Sequence, residues 1–270
     1  MPTFHEFEHA GWERAAEHYG DAFGGLTAQT APALLDAGGV SSGTRVLDVA
    51  SGPGFVAAAA ASRGALVVGL DFAAAMVREA RRRHPGLQFQ EGDAEALPFE
   101  DATFDAVVMN FGMLHLARPE SAIADARRVL RPGGRYAFTV WAAPEKAVAF
   151  GLAVRAIEEH GNPNVGLPEG PPFFRFSDAA IARGTLEKAG FVGVEVRELP
   201  LAWTPGSAEA VFEAFTRGGV RTAAVLRAQT PEAFAAIRTA VYRGLEAYRR
   251  ADGLRIPMAA VLASATSTQP

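Results

Sequence analysis

Residues 46–55, VLDVASGPGF, run from a strand-like segment into small residues and a Gly-Pro-Gly turn, with an acid, Asp48, set among apolar side chains. A charge inside a buried strand, followed by a turn that bares its own backbone, suits a small polar ligand at the carboxyl edge of an α/β sheet. Gly52, Gly54 and Ala57 satisfy the G-x-G-x-x-G/A spacing of a dinucleotide-binding turn. Asp71 stands at the distance where an acid accepts from ribose hydroxyls. Spacing alone leaves more than one ligand class open.

Three further stretches carry the residue types of other chemistries. HEFEH (5–9) fits H-E-x-x-H, the zinc-protease helix motif, but it lies four residues from the terminus and lacks an evident third ligand, so a solvated helix face is expected. GVSSG (39–43) fits the hydrolase nucleophile elbow G-x-S-x-G. That elbow joins a strand to the following helix, whereas this one leads from a helix into a strand, and it reads as a loop. RRRH (81–84) reads as a solvated helix end whose charge suits the helix dipole.

The elements that must position these residues follow from periodicity. Strand-like runs fall at 45–49, 65–70, 87–90, 105–109 and 135–141, with helix-compatible stretches at 55–63, 73–83 and 119–130 between them. The last of these opens with Pro119 and stops at RPGG. Alternation of this kind indicates an α/β domain with a largely parallel sheet. Beyond residue 142, a helix is expected at 145–160, then a Pro/Gly-rich loop with three Phe, a helix capped by Ser177 and ended at Gly190, and a strand at 191–199. Residues 205–252 read as helices, the longest starting at Thr230-Pro231 and presenting Phe234, Ile237, Val241, Leu245 and Tyr248 on one face. A final strand at 256–265 makes 205–252 a helical cap insertion in one domain, 1–270, whose core is about 30–204 plus 253–266.

The 270 residues are 49% hydrophobic and 21% charged, enough for a sizeable core. A net charge of −4 leaves no electrostatic footprint for nucleic acid. Cysteine is absent, which rules out disulfides and thiolate metal ligands. No apolar run approaches the ~20 residues of a membrane span, and MPTFHEFEHAGW does not read as a signal peptide. A cytoplasmic location is expected.

DVASGPG resembles the D-x-G/A-x-G-x-G motif of class I S-adenosylmethionine (SAM)-dependent methyltransferases, in which the strand acid is part of the signature. The resemblance continues, in family order and spacing, through GLDFAAAMV (69–77), EGDAEALPF (91–99), FDAVVMNFGMLH (104–115) and VLRPGGRYAFTVW (129–141). It is strongest to the small-molecule branch that includes ubiquinone and menaquinone biosynthesis enzymes. It implies a Rossmann-like sheet, mostly parallel with an antiparallel last strand and flanked by helices, and SAM as cofactor. An NAD(P)-dependent oxidoreductase would leave GDAEALPF and RPGG unexplained, whereas a SAM-binding module without catalysis would keep every cofactor residue.

The resemblance also implies residue roles. Asp48, acting indirectly, and the backbone of Ala50, Ser51, Gly52 and Gly54 would take the amino-acid end, with Ala50 standing where many relatives have Gly. Asp71 would hold both ribose hydroxyls and, serving a ligand, would have no partner in the fold. Phe72 and Met76 would pack on ribose and adenine. Asp93 would accept from the adenine amino group and the Ala94 amide would donate to a ring nitrogen. Asn110 and Phe111 would close over the methionine part, with Tyr19 covering the site. No metal is needed. If the acceptor arrives protonated, His115 is the candidate base. Trp141, Phe150, Phe173, Phe174, Trp203, Phe212 and Phe215 favour a small apolar or aromatic acceptor, quinone-like or phenolic.

Overall fold

A computed structural model describes residues 1–268. Seven strands form one sheet: β1 (Arg45–Val49), β2 (Leu66–Asp71), β3 (Gln88–Glu91), β4 (Phe104–Asn110), β5 (Leu130–Trp141), β6 (Phe191–Leu199) and β7 (Ala260–Ser267). Their order is β3-β2-β1-β4-β5-β7-β6, with β1 to β5 paired in parallel and β7 antiparallel to both β5 and β6. Parallel pairing requires helical crossovers, and those cover the faces and bury the strands on both sides. Val46, Leu47, Ala106, Val107 and Val108 are accordingly sealed from solvent. Because β1, β2 and β4 run in one direction, Val49, Asp71 and Asn110 end on the same edge.

The helices are α1 (Phe4–Tyr19), α2 (Ala31–Ala37), α3 (Phe55–Ser62), α4 (Ala74–Arg83), α5 (Pro119–Val129), α6 (Val148–His160), α7 (Ala179–Lys188), α8 (Ala208–Arg217), α9 (Arg221–Arg227) and α10 (Pro231–Leu245). A capping box at Thr3 and Glu6 starts α1. Small residues at Ala57 and Ala60 bring α3 close against the sheet.

Three expectations change. The N-cap of α7 is Asp178, whose carboxylate accepts from the Ala180 and Ile181 amides, while Ser177 closes the preceding turn on the Phe174 carbonyl. The carboxylate makes the stronger cap because its acceptor is charged. The final strand begins at Ala260, and Ile256–Pro257 pairs instead with Ala202–Trp203 in a separate ribbon. The helical layer over the sheet edge is not confined to 205–252: α10 packs on α6, and α8 packs on α1. Helix α10 starts at the Thr230 cap as expected, with Ile237, Val241 and Leu245 buried. The GVSSG segment is a loop ahead of β1. In RRRH, Arg81 donates to the Phe89 carbonyl, and Arg82 and Arg83 pair with Glu79. No helix among the described residues is long and apolar enough to cross a membrane.

Candidate active site

Two cavities meet at the carboxyl edge of the sheet. The first holds about 650 Å³ of empty space, its mouth included, within the range of small-molecule sites. Tyr19, Ala50, Asp71, Phe72, Met76, Asp93, Ala94, Asn110, Phe111 and His115 line it. Of the residues expected at the site, Asp48, Ser51, Gly52 and Gly54 lie outside its walls. His5, Trp12, Leu70, Gly92, Gly112 and Leu116 complete the walls and were not anticipated. His5, Trp12 and Tyr19 recur along α1 at near-helical spacing, a periodic signal that could have revealed that face.

Three amides of the Gly-rich turn are taken by its own chain. The Ser51 amide donates to the Leu70 carbonyl, the Gly54 amide to the Ser51 carbonyl, and the Gly52 amide to Asp71 Oδ2 at 2.8 Å. Gly54 adopts φ +85°, and a Cβ there would meet Phe89 at 2.7 Å, so both conformation and packing require glycine. No Lys or Arg among the described residues lines the cavity wall, and Asp71 and Asp93 give it acidic character.

Asp71 does have partners in the fold, contrary to expectation. Its Oδ1 accepts from the Ala73 amide at 3.0 Å while Oδ2 holds Gly52, so the carboxylate ties the turn to the start of α4. Burial pushes this acid up to about 6, the two amides offsetting part of the effect. Each oxygen keeps a lone pair for a ligand hydroxyl. Asp48 is 1% exposed and neither oxygen finds a hydrogen-bond partner. Burial pushes it up to about 8, beyond what the nearby Ala57 amide offsets, and the neighbouring Asp71 charge adds to the rise. The Ser51 hydroxyl, three residues on, is also buried and unpartnered.

Across the cavity, Asp93 accepts from the Glu95 amide at 2.8 Å and meets His5 Nε2 at 3.1 Å. Phe72 receives the edges of His5 and His9. The Asn110 side chain is committed to the fold: it donates to the Thr27 carbonyl and accepts from Thr30 and Thr139, leaving its backbone to face the cavity. Three non-glycine residues in the described chain have φ in the left-handed region, and two of them, Ala50 (53°) and Phe111 (54°), wall this cavity. Strain of that kind costs ~1–3 kcal/mol and persists where the surroundings enforce it. It also explains why glycine suits position 50.

The second cavity, about 550 Å³, shares Trp12, Tyr19, Phe111 and His115 with the first. Its remaining walls include Phe23, Trp141, Phe150, Phe173, Phe215 and Arg221. Phe174 lines a third, outer cavity instead, while Trp203 and Phe212 line none of the three. Phe212 packs on Phe234 and Tyr242 inside the helical layer.

HEFEH is not a solvated face. It lies on α1 against the first cavity, and Glu8 is 0% exposed. Glu8 Oε2 meets His115 Nδ1 at 2.9 Å and its Oε1 accepts from Arg221 Nε at 2.8 Å. Burial alone would raise this acid, but the imidazole and guanidinium hold it below its ordinary value. Helical periodicity turns Glu8 inward, and its partners come from more than 100 residues away in sequence. No group of three or more His, Asp or Glu among the described residues is arranged to hold a metal ion.

A mostly parallel sheet of this order, with a cavity walled by Asp71, Asp93 and residues of the 110–116 segment, defines a class rather than a single enzyme. A family model described as a methyltransferase domain matches residues 47–138. Demethylmenaquinone methyltransferase of Clavibacter sepedonicus is 35% identical over 172 residues, covering 58% of this chain and 69% of that protein. The chain belongs to the class I SAM-dependent methyltransferase family.

Demethylmenaquinone methyltransferase of Renibacterium salmoninarum is 45% identical over 102 residues, 38% of this chain and 43% of that protein. The chain spans about half the length of several of the curated relatives it matches. Phosphoethanolamine N-methyltransferase 2 of Haemonchus contortus, solved with S-adenosyl-L-methionine, superposes with a TM-score of 0.61 at 18% identity, covering all of this chain and 61% of that one. That likeness concerns the fold alone.

Proposed function

We propose that the protein transfers a methyl group from SAM to a small apolar or aromatic acceptor. The observation that carries this reading is the paired arrangement: a cavity walled by Asp71 and Asp93, joined through a four-residue collar to an aromatic cavity. In the first cavity Asp71 would take the ribose hydroxyls. Asp93 and the Ala94 amide would take the adenine edge, Phe72 and Met76 its faces, and Ala50 with the Asn110 and Phe111 backbone the amino-acid end. Asp48 and Ser51 act from beneath the turn. The donor set fits SAM, since carboxylates suit hydroxyl and amino groups and repel phosphate. When bound, SAM supplies an electrophilic methyl on a sulfonium, which needs an oriented acceptor rather than a Lewis acid.

Orientation can be worth ~7–11 kcal/mol, and Phe111 stacked on Trp141 at 4.1 Å, with Phe150 and Phe173 beside them, supplies flat apolar walls for it. His115, in the collar, is the candidate base. The names of the demethylmenaquinone relatives support a quinol-like acceptor. A single domain acting in the cytoplasm, without nucleic-acid partners, completes the reading. Incubation with SAM and a panel of naphthoquinols and phenols should give products heavier by one methyl group. Calorimetry should show micromolar SAM binding, roughly −8 kcal/mol, unaffected by NADH. SAM binding without any product would favour a non-catalytic module, and displacement of SAM by NADH would refute the cofactor.

A further inference from the structure

The buried cluster of Glu8, His115 and Arg221 joins three distant segments where the two cavities meet. We propose that Glu8 is a positioning residue, its carboxylate holding His115 with the proton on Nδ1 and so keeping the Nε2 lone pair available to an acidic acceptor. The proposal rests on the methyltransferase reading and assigns the second cavity acceptors that arrive as an O–H or activated C–H acid.

The geometry carries the assignment. Arg221 is fixed independently of Glu8: it donates to the Leu114 carbonyl at 2.7 Å and the Pro171 carbonyl at 2.9 Å, and it lies over the Phe4 ring at 4.4 Å. Its Nε therefore claims Glu8 Oε1, and only Oε2 faces the imidazole. An ionised carboxylate only accepts hydrogen bonds, so Nδ1 must be the donor. Nε2 makes no hydrogen bond among the described residues and is not among the buried unpartnered atoms. The ring stands T-shaped to Trp12, with centroids 4.8 Å apart, and to Phe173, 6.0 Å apart, which restrains its plane. In the proton transfer, the acceptor's O–H or C–H bond breaks with its electron pair left on the acceptor, and the proton bonds to the Nε2 lone pair. The imidazolium formed keeps its Nδ1–H bond to Glu8. A nucleophile–base–orienter chain of this kind works by tautomer control.

Glu8→Gln discriminates this from a purely structural tie between α1 and α9. Arg221 still demands a carbonyl oxygen, so the new NH₂ group must face Nδ1, which becomes an acceptor and moves the ring proton to Nε2. Two-bond ¹H–¹⁵N correlation spectra of histidine-labelled protein, taken where the imidazole is neutral, should show Nδ1–H in the wild type and Nε2–H in Glu8→Gln. SAM affinity should stay within about twofold, while kcat on a naphthoquinol probe falls on the order of a hundredfold or more. Should Glu8→Gln fail to fold, the wild-type spectrum and Glu8→Asp, which should retain Nδ1–H, decide the matter. Nε2–H in the wild type, or an unchanged tautomer in Glu8→Gln, overturns the proposal. A wild type that methylates no naphthoquinol yet shows the tautomer swap supports tautomer control by Glu8 and refutes the quinol-like acceptor class.

Discussion

Replacing Asp48 by Asn should flatten the pH dependence of stability. Asp48 is sealed beneath the Gly-rich turn with both oxygens unpartnered, and its pKa rises from the ordinary 3.8 to about 8. The folded protein therefore holds a proton that the unfolded chain has released between those values, and wild-type stability declines as pH climbs through that window. The rise of about four units, at ~1.4 kcal/mol per unit, bounds the effect on the order of 5 kcal/mol. An asparagine side chain matches the protonated acid in shape and does not titrate. The two proteins should thus be similarly stable only below about pH 3.8, and from pH 5 to pH 8 the Asp48→Asn variant should gain a few kcal/mol on the wild type. For a chain of this size that corresponds to a Tm gap of at least about 5 °C. Calorimetric melting of both proteins in steps from pH 5 to 8.5 reads the gap directly. Asp71 titrates in both and largely cancels. Parallel melting curves across that range would refute the reasoning, since they would mean that Asp48 is ionised and satisfied in the folded state.

Asp71→Ala should lower both apo stability and SAM affinity: it orphans the Gly52 and Ala73 amides at ~1–3 kcal/mol each, offset in part by removing a buried acid. An unchanged apo Tm would show that water replaces the carboxylate. Phe173→Ala should raise the acceptor KM and leave SAM binding within about twofold, because Phe173 walls the second cavity and not the first. Phe212→Ala should cost ~3–5 kcal/mol of stability and spare the acceptor KM, since Phe212 packs inside the helical layer. Comparing melting temperatures and steady-state kinetics of the two variants checks both statements. Chelator treatment should leave turnover unchanged, and activity lost to chelation and restored by a divalent ion would require a different mechanism.

Local sequence was enough to place the sheet and the turn that follows β1. Period-2 and apolar runs located β1 to β6, and Gly52, Gly54 and Asp71 were legible because turn geometry and strand ends are local properties written in a few adjacent residues, whereas Asp93 came through the family resemblance alone. Ten expected residues do wall the first cavity. Tertiary structure decided what depends on distant partners. HEFEH looked like a solvated face because it lies near the terminus and has no third metal ligand in view; Arg221 and His115, brought in from other elements, make the burial of Glu8 possible. Asp71 looked free for a ligand because the Gly52 amide lies 19 residues away and reaches it only through the β1–β2 register. Among the aromatics, composition could not separate Phe173 from Phe212. Both are apolar residues beyond the sheet core, and only the packing of α6, α8 and α10 turns one toward a cavity and the other into the helical layer.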